Sequence, residues 1–340
     1  MDLFALTRSL IDIESITLNE NSVGQFLLGL LTEMGRAHSG IVERLDVKEN
    51  RFNVFAKWGE PIVTLSTHMD TVPPFIPSRE DSDFIWGRGA CDAKGIIASM
   101  IAAAESLLQA GVRKFGILFV VGEERDSAGA MAAANTPRGS RYLINGEPTE
   151  NKLALGCKGS LRYELTARGK MAHSAYPELG RSAIEILLDV LQDVRGISLP
   201  EDSMLGRSTL NIGTISGGRA PNVIPDFARA ELMFRLAGDA APVSEAVSRA
   251  VAGRAEIKQV LQTPVVRMGA LDGLPSTVVS YTTDIPFLAG PWGKPYLFGP
   301  GSAHVAHTEE ERISKQEMRE AVEIYKRMVK TLLADSQGKS

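Results

Sequence analysis

Apolar residues recur at helical spacing through Leu3, Leu6, Leu10 and Ile13, and again through Val23, Phe26, Leu27, Leu30 and Leu31. The pattern predicts that the chain opens with two amphipathic helices. The period then changes. The run from Ile62 to Thr67 reads as a buried strand, Gly95 to Gln109 as an Ala-rich helix, Phe115 to Val121 as a second buried strand and Tyr142 to Asn145 as a shorter one. Strands that alternate with helices imply a mixed, mostly parallel α/β sheet covered by helices on both faces.

From Ser160 the order is different. Leu161 to Ala167 alternates as a strand, Arg181 to Val194 is helical, and Thr209 to Ile215 and Ala228 to Arg235 are strands. Pro242 to Ala252 is helical and Glu256 to Leu261 is a strand. This β-α-β-β-α-β order is that of a ferredoxin-like unit, so residues 160–263 are expected to form an inserted domain within a larger one made of 1–159 and 264–340. Ser314 and Glu317 form a capping box for a last helix with the buried stripe Met318, Ala321, Val322, Tyr325, Val329 and Leu332.

The length of 340 residues and 44% hydrophobic content suffice for a buried core. A net charge of −4, with both signs scattered, gives no basic stripe for nucleic acid or an anionic membrane. The first residues lack the layout of a secretion signal, and no window approaches the roughly eighteen apolar residues of a membrane span, so a cytoplasmic protein is expected. Cys91 and Cys157 are too few for a disulfide framework and read as ordinary buried residues.

In open α/β sheets ligands bind beyond the carboxyl ends of the strands. His68 and Asp70 follow one predicted strand, Glu123 and Glu124 a second and Glu147 a third; Asp92 precedes the Gly95 helix, and His307 lies in a Gly- and Pro-rich loop. Any one of these alone reads as a cap or a surface charge. Together they read differently, because adjacent Glu123 and Glu124 straight after Ile117-Leu118-Phe119-Val120-Val121 are costly unless a cation compensates. Two imidazoles and three carboxylates suit zinc, or cobalt or manganese, and five ligand types point to two metals with Asp92 as the natural bridge.

The runs His68-Met69-Asp70-Thr71-Val72-Pro73, Gly87-Arg88-Gly89-Ala90-Cys91-Asp92-Ala93-Lys94-Gly95, Gly122-Glu123-Glu124 and Gly146-Glu147-Pro148-Thr149 occur in that order. In them the chain resembles the zinc aminoacylase and carboxypeptidase family, which includes acetylornithine deacetylase, succinyl-diaminopimelate desuccinylase and glutamate carboxypeptidase. The resemblance implies one zinc on His68 and Glu147, another on Glu124 and His307, and Asp92 bridging them, with cobalt a possible substitute. It implies that Asp70 holds the His68 ring by accepting its other N–H, and that Glu123 is the base that activates water. His307 is favoured over His304 because the run Gly299 to Thr308 is similar to the family's closing motif; His38 reads as a surface residue.

The resemblance also makes 160–263 a lid and dimerisation domain. There His173 would donate to the oxyanion from the partner subunit of a homodimer, and Asn222 and Arg235 would grip the substrate's carboxylate. Departures occur at Ala93, where methionine is common, and at Ser182-Ala183. The implied activity is cleavage of an N-acyl amino acid, of acetylornithine deacetylase type, favoured by the run Thr283-Asp284-Ile285-Pro286-Phe287. The alternatives are a metallo-carboxypeptidase or dipeptidase acting on short peptides at the same site, and a dimeric binding protein that has kept only the fold.

Overall fold

The computed structural model describes residues 2–337 and divides into two compact units. The first runs from the N-terminal helix to Leu155 and takes in Met268–Thr277 and the chain from Thr283 onward; the second comprises Gly156–Arg267 and Val278–Thr282.

The first unit is built on a mixed sheet whose strands lie in the order Ile41–Lys48, Arg51–Trp58, Phe115–Val120, Val63–His68, Tyr142–Asn145, Lys294–Leu297 and Leu153–Cys157. The four from Phe115–Val120 to Lys294–Leu297 are mutually parallel, and the outer pairings are antiparallel. Val63–His68 and Phe115–Val120 are buried along their whole length, as continuous apolar runs in a parallel sheet must be. Alternate residues serve opposite faces. Ile117 and Phe119 join a core with the helices Leu3–Ile11, Asn21–His38, Gly95–Gln109 and Lys315–Gln337, whereas Leu118 and Val120 pack with Ala130, Ala133, Leu288 and Trp292.

Four of these strands, Leu153–Cys157 among them, lie outside the sequence expectation. Ile41–Lys48 and Arg51–Trp58 form a hairpin whose first strand is largely solvated, and Lys294–Leu297 is a four-residue strand in a loop-like context. The last helix begins at Lys315 with half of the expected capping box: Ser314 Oγ accepts the Glu317 N–H at 3.3 Å, but the Glu317 carboxylate turns to the Gly301 N–H at 2.9 Å.

The second unit is a wholly antiparallel sheet in the order Thr209–Gly217, Phe227–Leu236, Gly159–Arg168, Glu256–Thr263. Its helices Ala183–Arg195 and Ala241–Val251 complete the β-α-β-β-α-β order and bury Leu187, Val190, Val194, Val243 and Val247 against Leu161, Leu165, Leu232 and Phe234. Ser182 is an ordinary N-cap here, its hydroxyl accepting the Glu185 N–H at 3.2 Å.

Candidate metal centre

The candidate residues of the first unit collect at the carboxyl ends of its parallel strands. His68 is the last residue of Val63–His68. Phe115–Val120 leads through Val121 into Gly122, where the chain turns at φ 84°; a Cβ there would meet Asp126 Oδ1 at 2.5 Å and the Arg51 guanidinium at 2.6 Å, so only glycine fits. Glu123 and Glu124 follow that turn. Glu147 follows Tyr142–Asn145, Asp92 lies in the irregular turn that leads into Gly95–Gln109, and His307 adopts φ 63° in the loop before Arg312–Ser314.

Asp92 stands at the middle of the cluster. Its Oδ1 lies 2.9 Å from Nε2 of His68 and its Oδ2 3.3 Å from Nε2 of His307, so each imidazole addresses a different oxygen of one carboxylate. His307 Nε2 also lies 3.0 Å from Glu124. Ligand atoms of His68, Asp92 and Glu124 all fall within 4.8 Å of one another. Glu147 is 4% exposed, and its Oε1 is buried with no hydrogen-bond partner.

Asp70 reaches beyond the imidazole. His68 Nδ1 meets the main-chain carbonyl of Asp70 at 3.0 Å, while the Asp70 carboxylate is 3.6 Å from the ring. That carboxylate instead accepts the successive N–H groups of Gly122 at 2.9 Å, Glu123 at 3.1 Å and Glu124 at 3.3 Å, together with the Thr17 hydroxyl at 2.7 Å. It therefore fixes the Glu-Glu turn, while the carbonyl of the same residue orients the imidazole.

The electrostatics are those of a site short of positive charge. Burial, then the charge of Glu147, pushes the Glu123 carboxyl well above its ordinary range, and burial does the same to Glu147. Hydrogen bonds from the two imidazoles overcome burial at Asp92 and hold it below the usual carboxylate range; the reciprocal bonds from Asp92 and Glu124 push His307 up to about 10. Two imidazoles cannot neutralise this many buried carboxylates, whereas divalent cations can. The donor set, with an unpartnered oxygen on Glu147, fits such ions.

Sequence reasoning passed over three participants. Asp284 is 1% exposed with both carboxylate oxygens unpartnered, and burial pushes it up to about 7. Glu311 is buried against Arg88, although the acidic run Glu309-Glu310-Glu311 reads as solvated. Arg88 and Asp284 stood within runs singled out for their resemblance but were given no role, and Glu311 was one charge in an acidic loop.

The remaining candidates belong to the second unit. His173 is exposed and pairs with Val223 beside Asn222, whose carbonyl accepts the Ser174 N–H at 3.0 Å. His173 Nδ1 accepts the Ala175 N–H at 3.1 Å, so the neutral ring carries its proton on Nε2 and presents it as a donor. Arg235 is elsewhere, near the far end of Phe227–Leu236, donating to Ser160 Oγ at 2.6 Å and Thr282 Oγ1 at 3.3 Å. Arg235 lies eight residues along this strand from Phe227, roughly 26 Å at about 3.3 Å per residue, whereas Asn222 precedes the strand's other end.

The profile of the peptidase family M20/M25/M40 matches residues 64–331. A Peptidase M20 domain-containing protein of Schizosaccharomyces pombe is 40% identical over 96% of this chain and 84% of its own length. A "Probable carboxypeptidase" of Aspergillus flavus is 37% identical over 96% and 86%. Among solved structures, an M20 family metallo-carboxypeptidase of Sulfolobus solfataricus superposes with a TM-score of 0.79 at 16% identity, covering 98% of this chain and 99% of that one.

Proposed function

Since the chain belongs to the peptidase family M20/M25/M40 and is a metal-dependent hydrolase of amide or peptide bonds, we propose that it is a two-metal carboxypeptidase or dipeptidase acting on short peptides with a free α-carboxylate. The observation that carries the two-metal reading is Asp92, with one oxygen toward each imidazole. His68 and Glu147 would hold one cation, Glu124 and His307 the other, with Asp92 shared; zinc suits this N/O set and cobalt can replace it. Bound there, such ions supply Lewis acidity toward water and the scissile carbonyl.

This chain's own groups do the rest. Glu123, raised in pKa by burial and by Glu147, would take a proton from the attacking water and hand it to the leaving nitrogen. The Asp70 carboxylate keeps the Glu123 backbone in place for that transfer. Nε2–H of His173 is suited to a developing oxyanion. The separation of Arg235 from Asn222 supports a symmetric homodimer, in which one subunit lends His173 and Asn222 while the other uses its own Arg235.

The carboxypeptidase reading stands ahead of an acetylornithine deacetylase-like deacylase because of the name of the Aspergillus flavus relative. The deacylase keeps one observation in its favour, Asp284 within the Thr283 to Phe287 run, buried and charge-coupled to Glu123 and Glu147. A panel of dipeptides, N-acetyl-ornithine, N-acetyl-lysine and N-succinyl-diaminopimelate compared by kcat/KM decides between them. Dipeptides should lead, methyl esters should fail, and chelation should abolish turnover until zinc or cobalt is restored. Equal turnover of acid and ester would remove the carboxylate from the proposal, and full activity after verified metal loss would remove the mechanism.

A further inference from the structure

The turn that carries Asp92 and the loop that carries His307 come from distant parts of the chain, yet both are tied to one buried pair. Arg88 and Glu311 lie 223 positions apart in sequence and are 2% and 1% exposed. Arg88 Nη1 donates to Glu311 Oε2 at 2.5 Å and to the carbonyl of Thr308, the residue after His307, at 3.2 Å; its Nε donates to the Pro74 carbonyl at 3.2 Å. The second carboxylate oxygen, Glu311 Oε1, accepts the N–H groups of Cys91 and of Asp92 itself, each at 3.3 Å.

Such a pair is weakly justified by stability alone, because apolar residues of similar volume can replace a buried ion pair without loss. What apolar residues cannot do is hold the Asp92 amide and the Thr308 carbonyl at once. A guanidinium fork and a two-oxygen carboxylate are the groups that reach both.

We propose that the Arg88–Glu311 pair is a positioning device for the metal centre: it sets the main chain beside Asp92 and beside His307, so that Asp92 Oδ2 and the His307 ring can share one cation. The inference rests on the two-metal reading above. Cobalt(II) titration of the metal-free protein, followed by visible absorption, tests the two separately when combined with thermal unfolding of the metal-free form. Wild type should take up two equivalents, and uptake of none would overturn the metal reading itself.

Glu311→Gln keeps the shape but loses the charge that holds Arg88. At least one cobalt equivalent should then bind about 10–100-fold more weakly, with an altered ligand-field spectrum, while the unpaired Arg88 guanidinium lowers the metal-free Tm. On a His307→Ala background the same substitution should add little, since the two act on one cation. Where Glu311→Gln does not fold, Arg88→Met combined with Glu311→Met removes both charges together and should show the same loss. A folded variant that takes up both equivalents with wild-type affinity and spectrum overturns the proposal. So does failure of both variants to fold, which would make the pair a support of the fold alone.

Discussion

Asp70 offers the sharpest test of how the site is held. Its carboxylate is fully buried and fixes three consecutive amides of the turn that carries Glu123 and Glu124. Asp70→Asn keeps the volume and replaces one oxygen by an amino group. The remaining oxygen should take the Oδ1 place, which serves Gly122 and Glu123, leaving the amino group opposite Thr17 and the Glu124 N–H. The Thr17 hydroxyl can rotate to accept; the Glu124 N–H cannot. One buried donor loses its acceptor, at about 1–3 kcal/mol, and the surviving bonds weaken from charge-assisted to neutral ones. Relief from burying a carboxylate offsets part of this, so the expected net loss is about 2 kcal/mol. Because the loosened amides belong to the proposed base and a proposed ligand, kcat should also fall by about 10²-fold. At Asp70, burial raises the carboxyl, but the nearby His68 ring and bonds from the Thr17 hydroxyl and the Glu123 N–H bring it below its ordinary value. A lowered folded pKa gives stability that is complete above the unfolded value of about 3.9 and lost as pH falls through the lower folded one. Urea unfolding should therefore separate wild type and Asp70→Asn at pH 7 and show them converging below about pH 4. A variant as stable as wild type at pH 7, with undiminished kcat, would refute the account.

Three further outcomes are expected. Glu123→Gln should retain its metal content while kcat falls by at least ~10²-fold, whereas Glu124→Gln should lose metal first; the reverse pattern would exchange their roles. In the metal-free protein His307 is raised to about 10 by Asp92 and Glu124, so its contribution is complete below about pH 6.5 and is lost as pH rises through about 10. Metal uptake at pH 8 must then release its proton, and calorimetry in buffers of different protonation enthalpy should register that release; zero release would contradict the assignment. Co-expression of Glu123→Ala with His173→Ala should restore activity in mixed dimers, because one of the two sites then has both groups intact; verified but inactive mixed dimers would place His173 in its own chain or outside the chemistry.

How much of this was legible in the sequence depended on whether a residue's surroundings lie next to it in the chain. His68, Glu123, Glu124 and Glu147 each follow directly on an apolar strand, so their placement at the sheet's carboxyl edge could be read from local pattern. The β-α-β-β-α-β unit was legible for a similar reason: alternation in Leu161 to Ala167 and in Ala228 to Arg235 states which side of each strand is buried. Ile41–Lys48 has no such contrast, being nearly all solvated, and Lys294–Leu297 is too short for a period to show.

Pairings across long separations were not legible. Nothing near Glu311 announces that it alone of three consecutive glutamates turns inward, because that depends on Arg312–Ser314 pairing with Phe84–Trp86 and bringing it beside Arg88. Asp70 shows the same limit at shorter range. The family resemblance implied a carboxylate-to-imidazole bond, but the strand ends at His68 and the chain turns so that the Asp70 carbonyl, at 3.0 Å, lies nearer the ring than its carboxylate, at 3.6 Å. The side chain is thereby left free to reach the next strand's turn. A motif can therefore specify which residues gather at a site while leaving open which atom of each does the holding, and the Asp70→Asn and Glu311→Gln variants probe that second level of organisation.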